Sequence, residues 1–160
     1  MSEMPSGREI RFLCDQNLGR LAKWLRIMGF DTTYMHSWDE DILQEALSEK
    51  RIVLTRNRKM EKRKDHFLIQ SDHIREQLAQ VGRLLDLSSK TKWFTRCNVC
   101  NETLLCAKPY DVKDSVPEYV YTIQEKFAQC PKCSRIYWKG SHQTRFMNTI
   151  NDIIAPKEES

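Results

Sequence analysis

The sequence predicts an α/β fold, with a parallel sheet flanked by helices over residues 8–88, a small β-rich module over 93–147 and a C-terminal tail over 148–160. Two observations carry that reading. Up to about residue 88, short apolar runs of strand length alternate with segments whose apolar residues recur at helical spacing. That alternation is the pattern of strand–helix–strand units joined by right-handed crossovers. Beyond it lie two cysteine pairs, Cys97-Asn-Val-Cys100 and Cys130-Pro-Lys-Cys133, set off by the polar linker Ser88-Ser-Lys-Thr-Lys92, and such pairs are the mark of a small module built on a metal.

The elements follow in order. Ile10 to Cys14 reads as a buried strand, with Cys14 as an inward residue, and Asp15-Gln-Asn17 supplies cap-type residues for the next helix. That helix carries Leu18, Leu21, Ala22, Leu25 and Met28 at helical spacing; Arg20, Lys23 and Arg26 lie elsewhere on its surface, Trp24 packs at its edge, and Gly29 sits where it ends. A short strand at Thr32 to Met35 precedes Asp39, the N-cap of a helix bearing Ile42, Leu43, Ala46 and Leu47. Arg51 to Thr55 is the third strand. A short basic helix at 57–64, a fourth strand at His66 to Gln70 and an amphipathic helix from His73 to Leu85 complete the first unit. The tail from Ile154 reads as frayed and acidic.

Four thiolates in two CxxC loops can close a tetrahedron around one structural zinc ion, since each loop brings two sulfurs to one metal and leaves no coordination position open. The rival readings are a disulfide framework, a redox CxxC, or cysteines buried as small hydrophobes. Only six cysteines occur, and Cys14 stands alone in the first half. With no signal-peptide pattern in Met1 to Glu9 and no apolar run of the roughly 18 residues a membrane span needs, the expectation is a soluble cytoplasmic protein whose reducing surroundings disfavour disulfides. Cys97, Cys100, Cys130 and Cys133 are therefore the expected zinc ligands, and Cys106 is expected to pack.

The net charge of +4 is mild but unevenly placed. Between Lys50 and Arg96 there are 13 Lys or Arg against 5 Asp or Glu, densest from Arg56 to Lys64. Such a run is a solvated helix face or a phosphate-binding surface. Arg56, Arg58, Lys62 and Arg63 are the candidates there; Arg135, Lys139 and His142, beside Tyr137 and Trp138, are those of the cysteine module, where aromatics either stack unpaired bases or pack the module.

Parallel sheets bind ligands beyond the carboxyl ends of their strands, at the point where strand order reverses. With strand order 2-1-3-4, Asp15 after the first strand and Thr55-Arg56-Asn57 after the third become neighbours, with Asp39, Asp41 and Asp72 on the same rim. Carboxylates gathered on one rim repel each other unless a hard cation such as Mg²⁺ or Mn²⁺ is present, and that ion activates water against a phosphodiester. Each acid also has a plainer role as a helix cap or first-turn charge.

Four segments in the same order, Arg11 to Asp31, Leu54-Thr-Arg-Asn57, Arg96 to Asn101 and Cys130 to His142, resemble the RNase domain found at the C-terminus of the Mut-seven exonuclease. The resemblance spans about residues 10 to 147. It implies a PIN-like nuclease fold with a fused zinc ribbon and a metal-dependent RNase activity, with RNA as partner. The family's acidic positions fall on Asp15, on Asp39 and on the third residue of a Thr-Arg-Asp motif, which here is Asn57. Asparagine offers a neutral oxygen to Mg²⁺ but removes one formal charge. The sequence thus points to a Mg²⁺- or Mn²⁺-dependent ribonuclease in which Asp15 and Asp39 hold the ion, Asp41 and Asp72 complete the carboxylate set and Asn57 is a weaker ligand. The alternative is a non-catalytic RNA-binding module, and a third is a zinc-ribbon interaction protein whose acids are only caps. A protein partner or inhibitor is compatible with each, and oligomeric state is not written in these features.

Overall fold

The computed structural model describes residues 9–155, apart from the side chain of His142; the RNA contact expected of that histidine and the residues after 155 lie outside it. Strand β1 (Arg11–Cys14), helix α1 (Gly19–Ile27), β2 (Asp31–Tyr34), α2 (Glu40–Ser48), β3 (Ile52–Thr55), β4 (His66–Leu68) and α3 (Ile74–Leu85) alternate along the chain, with a 3₁₀ turn at Arg58–Met60 between β3 and β4. The four strands form one parallel sheet in the order β2-β1-β3-β4, with β1 in register against both β2 and β3. This is the order that makes the first and third strands neighbours at the reversal point.

Period-two alternation along the central strands divides the core. Phe12, Cys14, Ile52 and Leu54 face Leu21, Leu25, Leu78 and Val81 of α1 and α3. Leu13 and Val53 point the other way, onto Leu43 and Ala46 of α2 with Met35 and Met60. All four residues of β3 are buried, as a strand covered on both faces requires. Cys14 is fully buried, as expected of an inward strand residue.

Past a 3₁₀ turn at Leu87–Ser89, the second unit consists of β5 (Leu105–Ala107), α4 (Pro109–Val112), α5 (Glu118–Ile123), β6 (Phe127–Gln129), β7 (Ile136–Tyr137) and α6 (Ser141–Ile154). Its strands pair antiparallel in the order β5-β6-β7. The long connection between the cysteine pairs thus holds two strands, β5 and β6, with two short helices and a 3₁₀ turn at Lys113–Ser115 between them, and its Val112, Val116 and Val120 pack with Phe127 into a small core of their own.

Three details depart from the sequence reading. Residues 148–154, expected as tail, are the second half of α6, and Ile150 and Ile154 are buried in the core of the parallel sheet. Helix α6 packs along α3, and Gly82 permits the approach, since a Cβ there would lie 3.0 Å from Ile154 Cβ. Their spacing of four places both isoleucines on one helix face, but a pair in so polar a segment gives a weak periodic signal. Cys106, expected to pack, is exposed on β5, a strand at the edge of its sheet. Arg26, expected at the surface, is half-buried and turned toward the cysteine module. No helix among the described residues is long and apolar enough to cross a membrane.

Candidate functional site

The two cysteine loops share one backbone construction. In the first, the N–H of Cys97 donates to Glu102 O and that of Asn101 to Cys97 O, both at 2.9 Å. In the second, Cys130 N–H donates to Arg135 O and Ser134 N–H to Cys130 O, again at 2.9 Å. Asn101 and Ser134 close the two turns with φ of 65° and 66°, the left-handed conformation that a short polar side chain tolerates. Turn amides then aim at sulfur, Cys100 N–H at Cys97 Sγ (3.4 Å) and Cys133 N–H at Cys130 Sγ (3.5 Å).

The four sulfur atoms lie within 4.8 Å of one another. Cys97 Sγ and Cys133 Sγ are 3.7 Å apart, far beyond the ~2.05 Å of a disulfide. A regular tetrahedron with metal–sulfur bonds of ~2.3 Å has edges of about 3.8 Å, so the spacing fits a metal and not a cross-link. These cysteines are positioned to hold one metal ion. Burial raises the Cys97 thiol, but hydrogen bonds from the Tyr137 hydroxyl, from the Cys100 and Val99 amides and from Cys133 outweigh it and bring the group down to about 7. That favours the thiolate a metal needs. Tyr137 is therefore structural, with its hydroxyl 3.1 Å from Cys97 Sγ and 2.9 Å from Asn98 Oδ1. Trp138 packs edge-on against Phe127.

The module seats on the sheet chiefly through the first loop, with Asn101 at the centre of the contact. Asn101 Nδ2 donates to Asp31 Oδ1 (2.7 Å) while its Oδ1 accepts from Thr32 N–H (3.0 Å). Asp31 also accepts from the buried Arg51 at 2.9 Å. Arg26 bridges from α1, donating to Thr32 O and to Asn98 and Val99 O. Arg96 donates to Gly29 O and Asn101 O. Gly29, at φ 95°, could not be replaced without conflict, because a Cβ would fall 2.3 Å from Lys92 O. This docking set eluded sequence reasoning; the signal was the asparagine directly after the first CxxC.

The acidic residues lie at the other end of the sheet. Asp31 pairs with Arg11 where β1 begins, and Tyr34 with Cys14 where it ends, so a strand length on the order of 10 Å separates module and rim. Asp15, just past β1, is only 4% exposed. Its carboxylate accepts from Gln16 N–H (2.6 Å) and from the Thr55 hydroxyl (2.9 Å), and Thr55 Oγ1 accepts in turn from Asn57 N–H (3.0 Å). The reversal of strand order thus brings Asp15 and Asn57 together through Thr55. Asp15 caps no helix, for α1 begins after Leu18 without a side-chain cap.

The other candidates are placed differently. Asp39 caps α2, accepting from Asp41 and Ile42 N–H, and Asp41 is exposed in its first turn. Asn57 Oδ1 accepts from Lys59 N–H and caps the 3₁₀ turn. Asp72 is exposed, 3.5 Å from His73 Nε2. Among the described residues, the four cysteines are the one place where three or more His, Cys, Asp or Glu ligand atoms converge; the acids lie further apart. Arg56 and Arg58 line a polar cleft of about 370 Å³ beside β4. Lys62 and Arg63 are exposed, the latter 6.0 Å from the Trp38 ring. Arg135 and Lys139 are exposed on the cysteine module.

A parallel sheet flanked by helices, with a buried aspartate at its reversal point, joined to a small antiparallel sheet with four converging cysteines, is the architecture that the segment order suggested. The Mut7-C RNAse domain family model matches residues 10–150, and the chain belongs to that family. No curated protein and no solved structure matches it.

Proposed function

We propose that the chain is a metal-dependent ribonuclease that hydrolyses RNA phosphodiesters at the carboxyl-end rim of its parallel sheet, with the cysteine module held by structural zinc. Family membership supports the activity class, and one observation carries the site. Asp15 is a buried carboxylate with no ion-pair partner among the described residues. A buried charge is costly unless it is paired or coordinates a metal. Mg²⁺ is the hard cation that accepts such a site, because it is held by one or two carboxylates and keeps several waters for exchange with phosphate oxygens.

On this reading Asp15 and Asp39 would hold the ion, Asn57 would offer a neutral oxygen, and Asp41 and Asp72 would add negative charge from the same rim. A bound Mg²⁺ or Mn²⁺ supplies Lewis-acid polarisation and a more acidic water. The chain's own residues do the positioning. Thr55 donates its hydroxyl proton to Asp15 and accepts from the Asn57 amide, which fixes the carboxylate against rotation. Arg56 and Arg58 in the adjoining cleft meet the phosphate backbone, with Lys62 and Arg63 beyond; Arg56 is already steered by donation to Ile69 O at 3.3 Å. Arg135 and Lys139, exposed on the cysteine module, extend the RNA contact.

The second reading, a non-catalytic RNA-binding module, is favoured by Asn57, which replaces the family's aspartate and serves as a cap. Labelled RNA incubated with Mn²⁺ and either wild type or Asp15→Asn separates the two. Cleavage by wild type alone supports the nuclease; binding without cleavage by either protein supports the module.

A further inference from the structure

We propose that the groove between α1, the chain leading into the first cysteine loop and α6 holds one unpaired base of single-stranded RNA, and that the strand reaches it along the exposed face of α1. This rests on the RNA reading above. The groove encloses about 270 Å³, near the lower end of the ~300–1,000 Å³ range of small-ligand pockets, which is room for one flat ring system. Its walls are Trp24, Trp93, Phe94 and Phe146. The Trp24 and Phe146 rings meet at 5.4 Å with a 47° tilt and those of Trp93 and Phe94 at 5.9 Å with 41°, so neither pair is stacked face to face.

The polar edge carries donors. Asn98 Oδ1 accepts from the Tyr137 hydroxyl and Gln143 Oε1 from Gly140 N–H. Both carbonyl oxygens are thereby engaged, and both amide NH₂ groups, which make no hydrogen bond among the described residues, are left as donors at the groove. Ring nitrogens and carbonyl oxygens on a base edge are the complementary acceptors.

The approach is cationic. Arg20 and Lys23 are exposed and form no salt bridge among the described residues. They share a helix face with Trp24 and Ile27 at spacings of three and four. Helix α1 starts beside Tyr34, at the Asp15 end of the sheet, and Ile27 borders the groove. Its surface is therefore a basic track roughly 12 Å long from the acidic rim to the aromatic slot. Aromatic platforms beside a positive track are how proteins hold single-stranded nucleic acid without sequence preference. An apolar peptide side chain would use the rings but neither the track nor the amide donors.

The test uses the full zinc-loaded chain and an oligoadenylate of ~8 nucleotides, beside an abasic strand of equal length, without added divalent cation. Expected is a change in tryptophan emission with the base-bearing strand only, binding roughly 5- to 100-fold tighter than the abasic strand, and loss of that preference in Phe146→Ala. Lys23→Glu, at an exposed position, should weaken both strands. Equal binding of the two strands by wild type, or an undiminished preference in a folded, zinc-retaining Phe146→Ala, overturns the groove and leaves the RNA reading standing. No binding of either strand overturns both.

Discussion

Asn101 donates to Asp31 over 2.7 Å, and through that contact the first cysteine loop is joined to the first strand pair of the parallel sheet. The bond is one of a set. Asp31 is shared with Arg51, which reaches Phe12 O and Asp31 O at 3.2 Å and Glu49 at 2.9 Å. A residue placed by cysteine geometry thus bears on a carboxylate placed by sheet geometry.

Replacing Asn101 with alanine should accordingly cost about 1–3 kcal/mol, because it removes one hydrogen bond to a charged acceptor and leaves Thr32 N–H without its partner. It also puts alanine at φ 65°, which only short polar residues and glycine adopt readily. Urea denaturation of the zinc-loaded chain measures it. A loss below about 0.5 kcal/mol would mean that Arg26 and Arg96 alone seat the module.

The same carboxylate sets an acid limit. Burial tends to raise Asp31, but hydrogen bonds from Arg51 and Asn101 and the charges of Arg51 and Arg96 win and hold it below the usual carboxylate range. A folded-state pKa below the unfolded value gives stability that is present above the unfolded pKa, ~3.9, and is lost as pH falls through the folded one. Asp31→Asn should therefore be less stable at pH 7 and lose less on acidification below about pH 4 than wild type. Parallel stability-against-pH curves for the two proteins would contradict the assignment.

Chelation at the cysteines should release one zinc per chain, but its structural reach is set by α6. Because Ile150 and Ile154 belong to the core under α3, loss of metal should raise amide exchange in both cysteine loops and in β5 to β7 while α6 keeps much of its protection. Collapse of protection in α6 together with the loops would show that metal binding and the sheet core fold as one unit.

How much of this was open to sequence reading depends on the range of the signal. The alternation of strands and helices, the buried Cys14 and the convergence of the four cysteines rest on local periodicity and on spacing, and these are legible in the sequence. The acidic rim was legible in part: the reversal rule brought Asp15 beside Asn57, but not the Thr55 hydroxyl that links them, since a side-chain bond across strands leaves no periodic trace. Side-chain direction was the least visible. Arg26 looks like any helical surface cation until the cysteine loop arrives beneath it. The second half of α6 reads as tail because two isoleucines four apart are a weak periodic signal in so polar a segment, and the glycine that gives Ile154 its room lies on another helix.

That room gives a further test. Alanine at 82 would gain roughly 0.8–1 kcal/mol of helix propensity, yet its Cβ would press within 3.0–3.2 Å of Ile154 Cβ, Cα and Cγ2. Overpacking of this kind costs typically 1–3 kcal/mol, so the net effect should be destabilising by up to about 2 kcal/mol. Thermal melts of Gly82→Ala and of the double variant Gly82→Ala with Ile154→Val settle the sign, since trimming Ile154 should recover part of the loss.

Asn57 is where enzyme and binding module part. Its side chain caps the turn at Lys59 N–H, a role aspartate fills equally well, so Asn57→Asp should leave the local backbone intact. What changes is charge. The new carboxylate sits on the residue whose backbone N–H donates to Thr55, the hydroxyl of which donates to Asp15, and two anions sharing a rim repel each other unless a cation lies between them. If Asp15 and Asp39 hold Mg²⁺ or Mn²⁺, Asn57→Asp should melt lower than wild type in metal-free buffer, rise more steeply in Tm as Mn²⁺ is added, and cleave RNA faster. The binding module expects the lower melting point without recovery in Mn²⁺, weaker RNA affinity and no cleavage. Asp15→Asn in the Asn57→Asp background is the control: it relieves the repulsion on either reading, but only a metal site predicts that it also abolishes the Mn²⁺ response.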